Sequence, residues 1–161
     1  MDFLWTPWRY AYIAGLHHNT DDVCVFCRLA RLQAGEEYVL SRGEYCYVVL
    51  NRFPYTSGHS MVVPYRHFAA FHEMSPAETT ELIATAQRLQ RVIATTYGPE
   101  GFNIGWNQGK CAGAGVAGHL HLHLIPRWVG DSNLVSTMGE TRVLPEDLAT
   151  TFARLQAALN I

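Results

Sequence analysis

The chain lacks most of what would send a protein to a membrane or a nucleic acid. No apolar run in its 161 residues approaches the roughly 20 that a bilayer-spanning helix needs. Charged side chains make up only 16 % and the net charge is −2. No overall basic field is therefore present to gather nucleic acid, and an anionic ligand has to be held by local groups. Internal repeats, low-complexity tracts and a linker-like stretch are also missing. The opening Met1-Asp2-Phe3-Leu4-Trp5 has neither the basic stretch nor the small-residue cleavage site of a secretory leader. The expectation is a cytoplasmic protein whose four cysteines stay reduced.

What is present suits one folded unit. A hydrophobic content of 48 % in this length supports a single core, so residues 1–161 are expected to form one domain. Residues 1–20 are aromatic and loop-like, with Trp5, Trp8, Tyr10 and Tyr12 suited to wrapping the domain or making a subunit contact. Phe26 to Ala34 reads as a short helix ending at Gly35. Tyr45 to Asn51 and Ser60 to Pro64 read as strands, rich in β-branched and aromatic residues and joined by a turn over Pro54 to Gly58. The clearest helix begins at Ser75, with Pro76 in its first position and Glu78 closing a capping box. Its apolar stripe runs Leu82, Ile83, Ala86, Leu89, Ile93 and Tyr97, and Gly98-Pro99 stops it. Phe102 to Trp106 and His119 to Ile125 give two further strands. A last helix follows Pro145 and carries Leu148, Phe152, Leu155 and Leu159. Short connections between strand pairs, with one long helix between them, predict an α+β fold: an antiparallel sheet covered by helices.

The chemistry concentrates in His119-Leu120-His121-Leu122-His123-Leu124. Successive strand residues face opposite sides, so three imidazoles share one face and three leucines the other. A row of titratable rings adds nothing to a core. Two kinds of site use it: a metal centre, since neutral imidazole is a common ligand, or nucleophilic catalysis by the central ring. Gly109, Gly113, Gly115 and Gly118 precede the row and let backbone N–H groups approach an anion, which favours phosphate chemistry.

Gly118 to Trp128 resembles the signature of the histidine-triad superfamily, nucleotide hydrolases and transferases. Val49-Leu50-Asn51-Arg52-Phe53-Pro54 and Gly58-His59-Ser60-Met61-Val62-Val63-Pro64 resemble its asparagine-bearing strand, turn and following strand. Leu4 to Arg9 and Pro126 to Asn133 look most like the bacterial diadenosine tetraphosphate phosphorylase branch. The resemblance implies a sheet of about five strands covered by the long helix and the C-terminal helix. It implies catalysis by His121 as nucleophile, with His123 donating to a non-bridging oxygen and His59 assisting orientation. Asn51 corresponds to a ribose contact and Asn107 to an amide near the phosphates, with Gly113 and Gly115 in the phosphate loop. The family's Gln-Ser or Gln-Thr pair before the triad is replaced by Gly115 and Val116, so backbone donors or a residue from outside this segment have to serve the leaving group. Lys110 and Arg127 are further candidate phosphate contacts.

Cys24-Val25-Phe26-Cys27 has the spacing of half a zinc site, and one such pair cannot close a tetrahedral shell. In zinc-bearing relatives two histidines complete it, and these match His67 and His119. The resemblance thus implies a structural Zn2+ on Cys24, Cys27, His67 and His119; the other reading is a pair of buried thiols. No organic cofactor is expected. The expected partners are a nucleotide substrate and inorganic phosphate, with no nucleic acid and no membrane; the resemblance also implies a homodimer or higher homo-oligomer. Hydrolysis of dinucleoside polyphosphates or nucleoside phosphoramidates, a metalloenzyme using the histidine row as ligands, and a non-catalytic nucleotide-binding module are the alternatives.

Overall fold

The computed structural model describes residues 24–131 and 144–159. The aromatic stretch over residues 1–20, and Ser132 and Asn133 of the branch-specific segment, lie outside them. Helix α1 spans Val25–Leu29, and strands β1 (Val39–Arg42), β2 (Cys46–Leu50) and β3 (Ser60–Pro64) follow. Helix α2 (Pro76–Tyr97), strands β4 (Gly101–Gly105) and β5 (Leu122–Arg127), and helix α3 (Leu148–Leu159) complete the order. The strands form one antiparallel sheet in the order β1-β2-β3-β5-β4, the α+β arrangement expected.

Each face of the sheet packs a different layer. Cys46, Val48, Leu50, Val62, Leu122 and Leu124 point toward Leu82, Leu89 and Ile93 of α2 and Leu155 and Leu159 of α3. Tyr47, Val49, Met61 and Val63 point the other way, where Phe26 and Leu29 of α1 cover them. Strand β2 is buried along its whole length because both layers close on it. A strand buried on both faces reads as a continuous apolar run, and Cys-Tyr-Val-Val-Leu does so.

Helix α2 forms as its sequence dictates. The Ser75 hydroxyl accepts from the Glu78 N–H at 3.2 Å, and the Glu78 carboxylate accepts from the Ser75 N–H at 2.7 Å. Gly98 ends the helix in the left-handed region at φ 56°, where a side chain would be strained. Ile83, expected on the buried stripe, is instead 42 % exposed. Leu82, Ala86, Leu89 and Ile93 are the apolar residues of α2 buried against the sheet, and Val92 and Tyr97 pack against them partly buried.

Other boundaries differ. Strand β1 is absent from the sequence reading: it is four residues long and follows Glu37 and Tyr38, both at positive φ. Helix α1 stops at Leu29 rather than at Ala34. Strand β5 begins at Leu122 instead of His119, because pairing with β3 starts at Val62↔Leu122. Before that point the Leu120 N–H donates to the Phe68 carbonyl at 2.8 Å, which pulls His119 and His121 off the ladder. No helix among the described residues is long and apolar enough to cross a membrane.

Candidate active site

The histidine row divides into two clusters. His119 is 1 % exposed and its Nε2–H donates to the Pro64 carbonyl at 2.9 Å. That bond leaves the Nδ1 lone pair facing the sulfurs of Cys24 at 3.5 Å and Cys27 at 3.6 Å. His67 Nδ1 stands 3.2 Å from the Cys27 sulfur. The four donor atoms lie within 4.8 Å of one another.

This geometry fits a tetrahedral zinc. With Zn–S of about 2.3 Å and Zn–N of about 2.0–2.1 Å, the edges of a tetrahedron measure roughly 3.3–3.8 Å. The separations Cys24–His119, Cys27–His119 and Cys27–His67, 3.5, 3.6 and 3.2 Å, fall at or near these edges, and the whole set lies within 4.8 Å, so a short inward shift closes it. The Pro64 carbonyl accepts from the ring nitrogen that faces away from the sulfurs, the kind of bond that orients a ligating imidazole. Burial, and then the neighbouring Cys24, push the Cys27 thiol up, a repulsion that a bound cation reverses. The chemistry of the donor set and its spacing thus suit Zn2+, held by Cys24, Cys27, His67 and His119.

His121 shows the opposite tautomer. Its Nδ1–H donates to the His119 carbonyl at 2.8 Å, so Nε2 keeps the lone pair. The ring is 5 % exposed and lies against Phe26 of α1, centroids 4.7 Å apart. Burial holds its pKa below the usual imidazole value, opposed by the His119 carbonyl. His123 sits beside it with centroids 4.8 Å apart; burial, then the His121 ring, pushes its pKa down to about 4. Burial thus favours the neutral form of both rings.

His59, buried at the start of β3, meets His123 through an Nε2 to Nδ1 hydrogen bond of 2.9 Å. The Tyr55 N–H donates to His59 Nδ1 at 3.1 Å, so His59 carries its proton on Nε2 and is the donor to His123. Asn51 follows β2, and its Oδ1 accepts from the Phe53 N–H at 3.0 Å. Its amide nitrogen is thereby turned toward His59, 3.3 Å from Nδ1. In this structure the Asn51 side chain is occupied by its own loop.

The connection from β4 to β5 carries Asn107, Gly113 and Gly115. Asn107 lies half-buried two residues past Gly105, which pairs with His123. Gly113 caps the short 3-10 turn Lys110–Ala112 with φ 86°. Arg127, a candidate phosphate contact, is held by Asp131 and by Asn103 instead. Cys46 is buried beside Glu81, and Cys111 is exposed in the glycine loop. The sequence reading missed Phe26, which touches both His119 and His121, and the carbonyls of Pro64 and His119 that select tautomers. An aromatic between two cysteines was the one visible signal.

The HIT domain family model matches residues 34–129. The chain is 39 % identical over 154 residues, 92 % of its length and 79 % of the relative's, to AP-4-A phosphorylase of Mycobacterium tuberculosis H37Rv. It is 31 % identical over 106 residues, 65 % of its length and 52 % of the relative's, to Adenylylsulfatase HINT3 of Arabidopsis thaliana. Among solved structures, a zinc-bound histidine triad family protein from Mycobacterium smegmatis superposes with a TM-score of 0.68. It is 30 % identical, and the match covers 85 % of this chain and 93 % of that one. The family model's match over residues 34–129 and the 39 % identity over most of the chain lead to one conclusion: the chain belongs to the HIT domain family and is an enzyme of the histidine-triad nucleotidyltransferase and hydrolase type.

Proposed function

We propose that the protein transfers a nucleotidyl group from dinucleoside polyphosphates, splitting diadenosine tetraphosphate with inorganic phosphate into ADP and ATP. The observation that supports this best is the His121 tautomer: Nδ1–H on the His119 carbonyl, Nε2 free and neutral. Neutral imidazole attacks phosphorus without a separate base. His121 Nε2 forms a bond to the α-phosphorus, and the bond from that phosphorus to the bridging oxygen breaks, releasing ATP. His123, whose Nδ1 is filled by His59, presents Nε2–H to a non-bridging oxygen and stabilises its charge. Phosphate then attacks the adenylyl-histidine, the P–N bond breaks and ADP leaves. Asn107 and the backbone of Gly113 and Gly115 hold the polyphosphate from the loop before the triad. Asn51 serves the ribose only by turning from its loop contacts. Cys24, Cys27, His67 and His119 would hold Zn2+, which would tie α1 to the triad segment as a closed structural site and supply no chemistry to the reaction.

The identity to a protein named AP-4-A phosphorylase supports phosphate as acceptor. Product analysis tests it. Millimolar phosphate is expected to accelerate turnover of diadenosine tetraphosphate and to give ADP plus ATP. AMP plus ATP at a rate indifferent to phosphate would make the enzyme a hydrolase.

A further inference from the structure

Residues 51–59 cross from β2 to β3 and carry His59. Inside this loop the His59 N–H donates to the Thr56 carbonyl at 3.2 Å, and the Tyr55 N–H donates to His59 Nδ1 at 3.1 Å. The imidazole is therefore held by the backbone of the turn just before it. The turn is in turn fastened to β5. Strand β3 pairs with β5 only from Val62↔Leu122 to Ser60↔Leu124, so the Pro126 carbonyl lies past the end of that ladder. The Thr56 hydroxyl takes it, donating at 2.8 Å. Gly58, at φ 82°, brings bare backbone against the same proline; a Cβ there would stand 3.3 Å from Pro126 Cγ. Pro126 is three residues beyond His123 on one strand.

We propose that Thr56 is a positioning residue for the transfer reaction, clasping the 51–59 loop to β5 so that His59 Nε2–H stays aimed at His123 Nδ1. His123 is then confined to the tautomer with its proton on Nε2, the atom that faces the reacting phosphoryl group. The consequence for turnover rests on the reading under Proposed function; the tautomers themselves do not. Without the clasp, the turn is free to shift against β5, and the His59–His123 bond of 2.9 Å lengthens. Displacements on the order of 1 Å at a catalytic group cost up to about 10²-fold in rate.

Two-bond nitrogen–proton NMR correlation on the parent protein reads the tautomers without substrate. His59 and His123 are both expected as the Nε2–H form at neutral pH. Thr56→Val, close in shape but without a donor, is expected to lower kcat about tenfold, leave KM within twofold and show His123 as a mixture of tautomers. Thr56→Ser restores the donor, and with it the rate and the single tautomer. An Nδ1–H form of either histidine in the parent overturns the proposal even if Thr56→Val does not fold. So does a folded Thr56→Val with parental kcat and an unmixed His123. Full activity of His121→Asn would instead overturn the nucleophile assignment and leave the clasp standing.

Discussion

His119 and His121 are two residues apart, both buried, and held in opposite tautomers. One gives its Nε2–H to the Pro64 carbonyl and turns Nδ1 to two sulfurs; the other gives its Nδ1–H to the His119 carbonyl and keeps Nε2 open. The side chains are identical. The position of one backbone oxygen decides which ring nitrogen keeps its lone pair. A histidine row is thus not one site but two, sorted by the carbonyls around it.

The largest effect should come from His121→Asn, which removes the proposed nucleophile while leaving the other cluster intact. Turnover is expected to fall by at least about 10³-fold, with zinc content and Tm unchanged. Turnover within tenfold of the parent would break the division between the two clusters. His123→Ala should cost less, about 10²–10³ in kcat, the usual loss for one oxyanion donor; steady-state kinetics reads it. Cys27→Ser acts on the opposite cluster. Zinc measured by metal analysis should drop from near one equivalent, and Tm should fall by about 10 °C before any rate effect specific to chemistry. Chelation that abolished turnover with Tm unmoved would place the metal in the reaction instead.

The smallest expected effect lies away from both clusters. Arg66 binds the Glu78 carboxylate with two N–H groups, and this pairing, foremost among several bonds, holds its pKa down to about 2 from 4.5. A carboxylate depressed on folding adds stability above its unfolded pKa and loses it as pH falls through the folded value. The Glu78 contribution should be complete above pH 4.5 and vanish near pH 2. Because Arg66 is half exposed, it amounts to about 1 kcal/mol. Urea unfolding of the parent and Glu78→Gln should differ by that amount at pH 7 and converge toward pH 2.

Much of the fold was legible in the chain because local signals agreed with the tertiary structure. Ser75, Pro76, Glu78 and Gly98 bracket α2 where the structure ends it. Alternation in Leu122 to Leu124 set which residues face the helices. Strand β1 stayed hidden because four residues after two positive-φ positions carry too little pattern. The grouping of Cys24 and Cys27 with His67 and His119 came from resemblance, since spacing alone closes only half a shell. Tautomers were out of reach: they depend on Pro64, on the His119 carbonyl and on Tyr55, all backbone atoms without a residue-type signature. Ile83 was misjudged because an apolar residue beside a stripe is not distinguishable from one within it.

The contact between Cys24 and His119 spans 95 positions, and that between Cys27 and His119 spans 92. During synthesis at about 5–20 residues per second, the thiol pair emerges from the ribosome roughly 5–20 s before the imidazole that completes its group. His67, 40 positions after Cys27, emerges earlier, so for the rest of that interval the pair lacks only the His119 imidazole. The His119 imidazole is thus the last of the four donors to be made, and the group cannot be complete until the segment that carries the histidine row has been synthesised.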